Sequence, residues 1–108
     1  MNVDPMFELF SDFNCPFCYA LHERLYDLNL IDRCDWRGVQ HAPRLPSPMK
    51  PWQGSQGAEL RHEVTVVQRL APGLAIALPQ GKPNTRPAIE RAIALLSLNP
   101  ISGMEFIR

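Results

Sequence analysis

Apolar and polar positions divide the chain into short runs, each with its own period. Residues 7–13, entered from Met6, are apolar at Phe7, Leu9, Phe10 and Phe13 and are interrupted by Glu8, Ser11 and Asp12. A run this apolar on both alternating faces predicts a strand inside a sheet covered on both sides. From Pro16 to about Leu30 the spacing becomes helical, with Phe17, Leu21, Leu25 and Leu28 on one stripe and Cys18 within it. Asp32 to Cys34 reads as a turn, and residues 35–42, carrying Trp36 and Val39, as a second strand. A strand, a helix and a strand in this order predict a parallel βαβ unit with a right-handed crossover.

Pro43, Pro46, Pro48 and Pro51, then Gln53-Gly54-Ser55-Gln56-Gly57, break regular structure, and a loop of this length often carries function. Residues 58–71 are helical, with Leu60, Val64, Val67 and Leu70 as the apolar stripe, and Pro72-Gly73 stops them. Residues 74–78 are too few to assign. Asn84 or Thr85 caps a further helix, Arg86 to Leu98, with Pro87 in its first turn and Ile89, Ala92, Ile93 and Leu96 on its buried face. Asn99-Pro100 ends that helix, and residues 101–108 begin another segment. The expected organisation is one domain in three stretches: a βαβ unit over 1–43, a Pro/Gly-rich loop over 44–57 and a helical region over 58–108.

Composition narrows the class. With 45% apolar and 20% charged residues in 108, the chain has the make-up of an ordinary globular protein. Its formal net charge of zero gives no steering toward nucleic acid or an anionic membrane. The first residues carry no basic, then apolar, leader pattern, and no apolar run approaches the roughly 20 residues of a membrane span. A cytoplasmic location is expected, where a CxxC is catalytic or metal-binding rather than a structural staple.

Such a motif stands where strand meets helix: Cys15-Pro16-Phe17-Cys18. Pro16 suits the first helical position, because its missing N–H has no intrahelical partner there. Cys15 then falls at the N-cap, where free amides and the helix dipole favour a negative sulfur. Cys18 lies one turn on, with β-carbons roughly 5–6 Å apart, close enough for a disulfide. Cys15 is therefore the expected nucleophile and Cys18 its buried resolving partner. Two other readings stand beside this one: half of a zinc site, for which Cys34, His22, His41 and His62 offer no second close-spaced pair, and an inert pair. No metal is expected.

The neighbours have their own alternatives. Pro16 and Phe17 bring no charge to the thiols, so the helix terminus must lower their pKa. The Asp12 carboxylate would raise it unless turned away; it serves either as a proton relay or as a helix cap. Glu8 is a second relay candidate if buried, and an edge residue otherwise. His22 reads as solvated or satisfied rather than catalytic, Cys34 as a small buried apolar residue, and His41 and His62 carry no argument. Trp52 and Phe17 are either an apolar lip beside the thiols or core.

The stretch Ser11-Asp12-Phe13-Asn14-Cys15-Pro16-Phe17-Cys18-Tyr19 resembles the redox motif of DsbA-like thioredoxin-fold proteins, in particular the FrnE-like oxidoreductases. Pro83-Asn84-Thr85-Arg86-Pro87-Ala88 looks like a helix opening in the inserted helical region of that group. The resemblance implies an α/β thioredoxin-like fold with the CxxC at a helix N-terminus, a helical insertion, and ligand contact by Asn84 and Thr85, both of which helix capping also explains. It implies disulfide exchange with protein or small-molecule thiols and a redox-active disulfide in place of a bound cofactor. The same branch holds 2-hydroxychromene-2-carboxylate isomerases and kappa-class glutathione transferases, in which a serine commonly replaces the first cysteine and glutathione is co-substrate. Both cysteines here favour dithiol exchange over that glutathione-dependent alternative. The cis-proline loop and closing strands of the fold are not recognisable after Leu98. The chain is accordingly expected to be an amino-terminal portion that dimerises or takes a segment in trans, and a non-catalytic interaction module is the third reading.

Overall fold

The computed structural model describes residues 7–52 and 54–108. Residues 1–6 and Gln53 of the Pro/Gly-rich loop lie outside the described residues. Two strands, β1 (Phe7–Ser11) and β2 (Cys34–Gly38), pair in parallel, with Phe7 opposite Cys34 and Ser11 opposite Gly38. A parallel pair requires a crossover, and α1 (Pro16–Asp27) supplies it. Then follow α2 (Gln56–Leu70), α3 (Arg86–Leu98) and α4 (Pro100–Ile107), so the chain is α/β with a small two-stranded sheet.

The expected burial of both sheet faces is not found. Leu9, Ser11 and Trp36 are buried on one face, whereas Glu8 and Phe10 face outward and Phe10 is 60% exposed. The period-two alternation of the strand decides this, because among the described residues the core with α3 lies on the face of Leu9 and Trp36. It approaches so closely that a β-carbon at Gly38 would lie 2.6 Å from Ile89 Cγ2. The core joins Leu9, Leu25, Trp36, Ile89, Ala92 and Ile107, so the βαβ unit and the last two helices share one interior. Phe13 extends it, with its ring 5.7 Å from Trp36 and 6.0 Å from Phe106.

Helix α1 differs from its expected form in length and phase. It stops at Asp27 because Asn29 adopts φ 56°, the left-handed conformation that asparagine tolerates. Leu30 N–H then donates to Leu25 O (2.8 Å) and Asn29 N–H to Tyr26 O (3.0 Å), the paired bonds of a Schellman stop. The buried face runs through Pro16, Cys18, His22 and Leu25, with Cys18 half-buried, while Phe17, Leu21 and Leu28 point outward. His22 is therefore neither solvated nor satisfied: it is buried, and its Nε2 has no partner among the described residues. Burial lowers its pKa, which keeps the ring neutral.

The later helices follow the apolar pattern with two corrections. Leu60, Val64 and Val67 of α2 are buried, and α2 packs on α1, but Leu70 is largely exposed. In α3, Ile89 and Ala92 are buried, whereas Ile93 is half-exposed. Residues 101–108 form a helix of their own, because Asn99 Oδ1 accepts from the amides of Ile101 (3.0 Å) and Ser102 (3.3 Å) ahead of Pro100. Arg108 pins α4 to α1 through Glu23 (3.4 Å) and lies 4.0 Å from the centre of the Tyr26 ring. No helix among the described residues is long and apolar enough to cross a membrane.

Candidate active site at the start of the first helix

β1 delivers the chain to a turn, Asp12 to Asn14, and α1 begins directly after it. Cys15 is the N-cap, with extended backbone (φ −109°, ψ 116°), and Pro16 takes the first helical position and is buried. The first helical bond runs from Tyr19 N–H to Cys15 O (3.1 Å). This geometry brings Cys15 and Cys18 to 3.4 Å from each other, both free thiols and both half-buried.

At that distance the two sulfurs share one proton between two ionisations. The Cys18 thiol falls from its ordinary 9.0 to about 6, chiefly because Cys15 donates to it. Burial opposes this, while the Asp12 amide and the Ser11 hydroxyl assist. The Cys15 thiol is pushed far up by the same contact and by burial, although the amides of Cys18 and Phe17 are directed at its sulfur and pull the other way. The first proton of the pair thus leaves readily and the second does not. The low first ionisation therefore belongs to the pair rather than to Cys15 alone. Cys18 is also less secluded than a core position would make it.

Access separates the two. Cys15 lines a cleft of about 450 Å³, together with Phe13, Pro16, Tyr19, Leu60 and Pro79, whereas Cys18 looks back toward Ser11 and Asp12. The rest of the lining comes from the irregular segment 75–83, tied down from several sides. Asn14 Nδ2 donates to Pro83 O (2.9 Å), Tyr19 Oη to Ala75 O (3.1 Å) and Trp52 Nε1 to Pro79 O (2.8 Å), and Pro51 bridges to Gly81. Trp52 thus holds the wall, and Phe17, 44% exposed, lies outside the cleft lining.

Asp12 is neither a cap of α1 nor free. Its side chain is 3% exposed and accepts from Phe13 N–H (2.8 Å) and His41 N–H (3.0 Å), with His41 Nδ1 at 2.6 Å. Burial raises its pKa, but hydrogen bonds from the Thr85 hydroxyl and from His41 outweigh this, so the carboxyl sits below its ordinary value. Thr85 is buried at the start of α3, makes no capping bond, and has its hydroxyl beside the Asp12 carboxylate. Asn84 is likewise engaged by the chain: Oδ1 accepts from Gln40 (3.0 Å) and Arg86 N–H (2.9 Å), and Nδ2 donates to Pro43 O and Leu45 O. These bonds occupy the side-chain groups that ligand contact by Asn84 would use, and the Thr85 hydroxyl faces Asp12. Glu8 is exposed on the outer sheet face, and Cys34 is half-buried beside Leu30 O.

His41 is the residue that sequence reasoning passed over. Its signal was the parallel register: with Ser11 opposite Gly38, the residues following each strand emerge side by side, and Val39 N–H still donates to Ser11 O (2.9 Å). An acid just after β1 and a histidine just after β2 are thereby neighbours. Among the described residues, no three His, Cys, Asp or Glu side chains converge as a metal-ion set. No known protein family, curated protein or solved structure matches the chain.

Proposed function

We propose that this chain is a thiol–disulfide oxidoreductase working through Cys15 and Cys18 on a thioredoxin-like, DsbA-like βαβ scaffold. One observation carries the reading: two free thiols 3.4 Å apart at the N-terminus of the crossover helix, one of them opening on a cleft. A proton moves from Cys15 to Cys18 across that short gap, and the Cys15 thiolate attacks a substrate disulfide. A bond forms between Cys15 and one substrate sulfur, and the other sulfur leaves as a thiolate. Cys18 then gives up its proton and attacks Cys15, which closes the intramolecular disulfide and releases the second substrate thiol. The substrate gains two electrons and the pair loses two; run backward, the same steps oxidise a dithiol. Protein thiols and small thiols, glutathione included, are the substrate class.

The low first pKa favours the reduced pair and hence an oxidising couple, since stabilising the thiolate raises the reduction potential. Reduction of insulin disulfides by wild type, Cys15→Ser and Cys18→Ser tests the reading. Wild type turns over and both variants fall to background. A Cys18→Ser protein that keeps glutathione-dependent turnover would move the chain to the isomerase and transferase chemistry of the same fold branch.

A further inference from the structure

We infer that His41 and Thr85 are positioning residues for the thiol pair, acting through the Asp12 carboxylate. The inference rests on the disulfide-exchange reading for its purpose, but on separate contacts for its substance. Asp12 bears two groups with opposite effects on Cys18: its amide is directed at the sulfur and favours the thiolate, while its carboxylate charge disfavours it. Holding that charge in place without moving the amide requires partners for the carboxylate itself. Phe13 from the turn and His41 from the segment after β2 hydrogen-bond to it, and Thr85 at the start of α3 lies beside it.

Each donor does a different part of this. The Phe13 amide is local and holds the turn. The His41 bonds, one from its amide and one involving Nδ1 at 2.6 Å, tie the turn to the parallel neighbour strand. Thr85 is buried at the start of α3, with its hydroxyl beside the same carboxylate. A carboxylate with an outside neutralising shell has its field spent on its partners. The other ionisable groups near the pair are His22, one turn beyond Cys18 and buried, and Tyr19 and Lys82 in the cleft lining. None of them contacts Asp12 among its hydrogen bonds.

The test reads the ionisation of the reduced pair, by thiolate absorbance and by alkylation rate against pH, in His41→Phe, His41→Gln, Thr85→Val and Thr85→Ser. His41→Phe and Thr85→Val move the first thiol midpoint up by roughly one pH unit, which is about a fivefold slower alkylation at pH 6. His41→Gln and Thr85→Ser, which keep a donor, return it toward wild type. A structural role alone would lower the melting temperature of the first two variants and leave the midpoint in place, and that result overturns the inference. His41 is 44% exposed, so its variants keep the test open if Thr85→Val does not fold. Wild-type insulin turnover in parallel separates the outcomes: turnover with an unmoved midpoint defeats the positioning role, and no turnover defeats the exchange reading.

Discussion

Helices α1 and α4 start with the same backbone device and differ in one side chain. Each has an extended N-cap residue followed by proline at the first helical position: Cys15-Pro16 and Asn99-Pro100. Asn99 Oδ1 accepts two of the free amides, so the terminus of α4 is closed on itself. Cys15 makes no capping hydrogen bond, and the amides of Phe17 and Cys18 are left directed at a sulfur. A closed cap contributes stability; an open one keeps its positive end for whatever charge the chemistry develops there. Helix α3 is intermediate, since Thr85 makes no capping bond and its hydroxyl lies beside Asp12. The difference between these starts separates a closed helix terminus from an open one.

The largest effect expected from breaking this contrast is chemical. Cys15→Asn gives α1 the cap of α4; disulfide exchange falls to background, while the reduced protein gains about 1 kcal/mol in urea melts. Loss of activity with loss of stability would mean that Cys15 holds the turn by packing rather than leaving the terminus open.

The next effect is a pH dependence that belongs to the reduced form. The folded Cys18 thiol ionises at about 6 against 9.0 ordinarily, so between those values the unfolded chain binds more protons than the folded one. Stability of the reduced protein therefore rises with pH across that window and is lost as pH falls through 6. Cys15, pushed upward, acts in the opposite sense above 9.0, where the unfolded chain has lost a proton that the folded chain keeps. Denaturant midpoints of reduced and oxidised protein from pH 5 to 10 check this; equal profiles would contradict it.

Smaller effects come from the purely structural ends. Asn99→Ala opens the cap of α4 and costs about 1 kcal/mol, with exchange unchanged. Asn29→Gly relieves the left-handed position that stops α1 and adds about 0.4–1 kcal/mol. Both are read by thermal or urea unfolding, and a change in thiol reactivity in either would break the separation between closed and open termini.

Local signals made much of this legible. The strand, CxxC and helix order, Pro16 at the first helical position and the stripe of α2 all depend on neighbours within a turn or two. What the sequence did not give away depends on partners far along the chain. The phase of α1 is fixed by the core that Leu25 joins with Leu9 and Trp36 and by α2, so the face through His22 and Leu25 wins over the more apolar face through Leu21 and Leu28. Asn99-Pro100 reads equally as a stop and as a start, and the cap bonds decide for both. The meeting of Asp12 with His41 and Thr85 follows from strand register and from the docking of α3, which no local pattern encodes.

The most direct measurement of the account is a redox titration of the chain in mixtures of reduced and oxidised glutathione, quenched by acid, alkylated and mapped by mass. A reversible disulfide between Cys15 and Cys18, with Cys34 still alkylated, is the predicted result. Stable glutathione adducts without an internal disulfide, or a disulfide that includes Cys34, would contradict it.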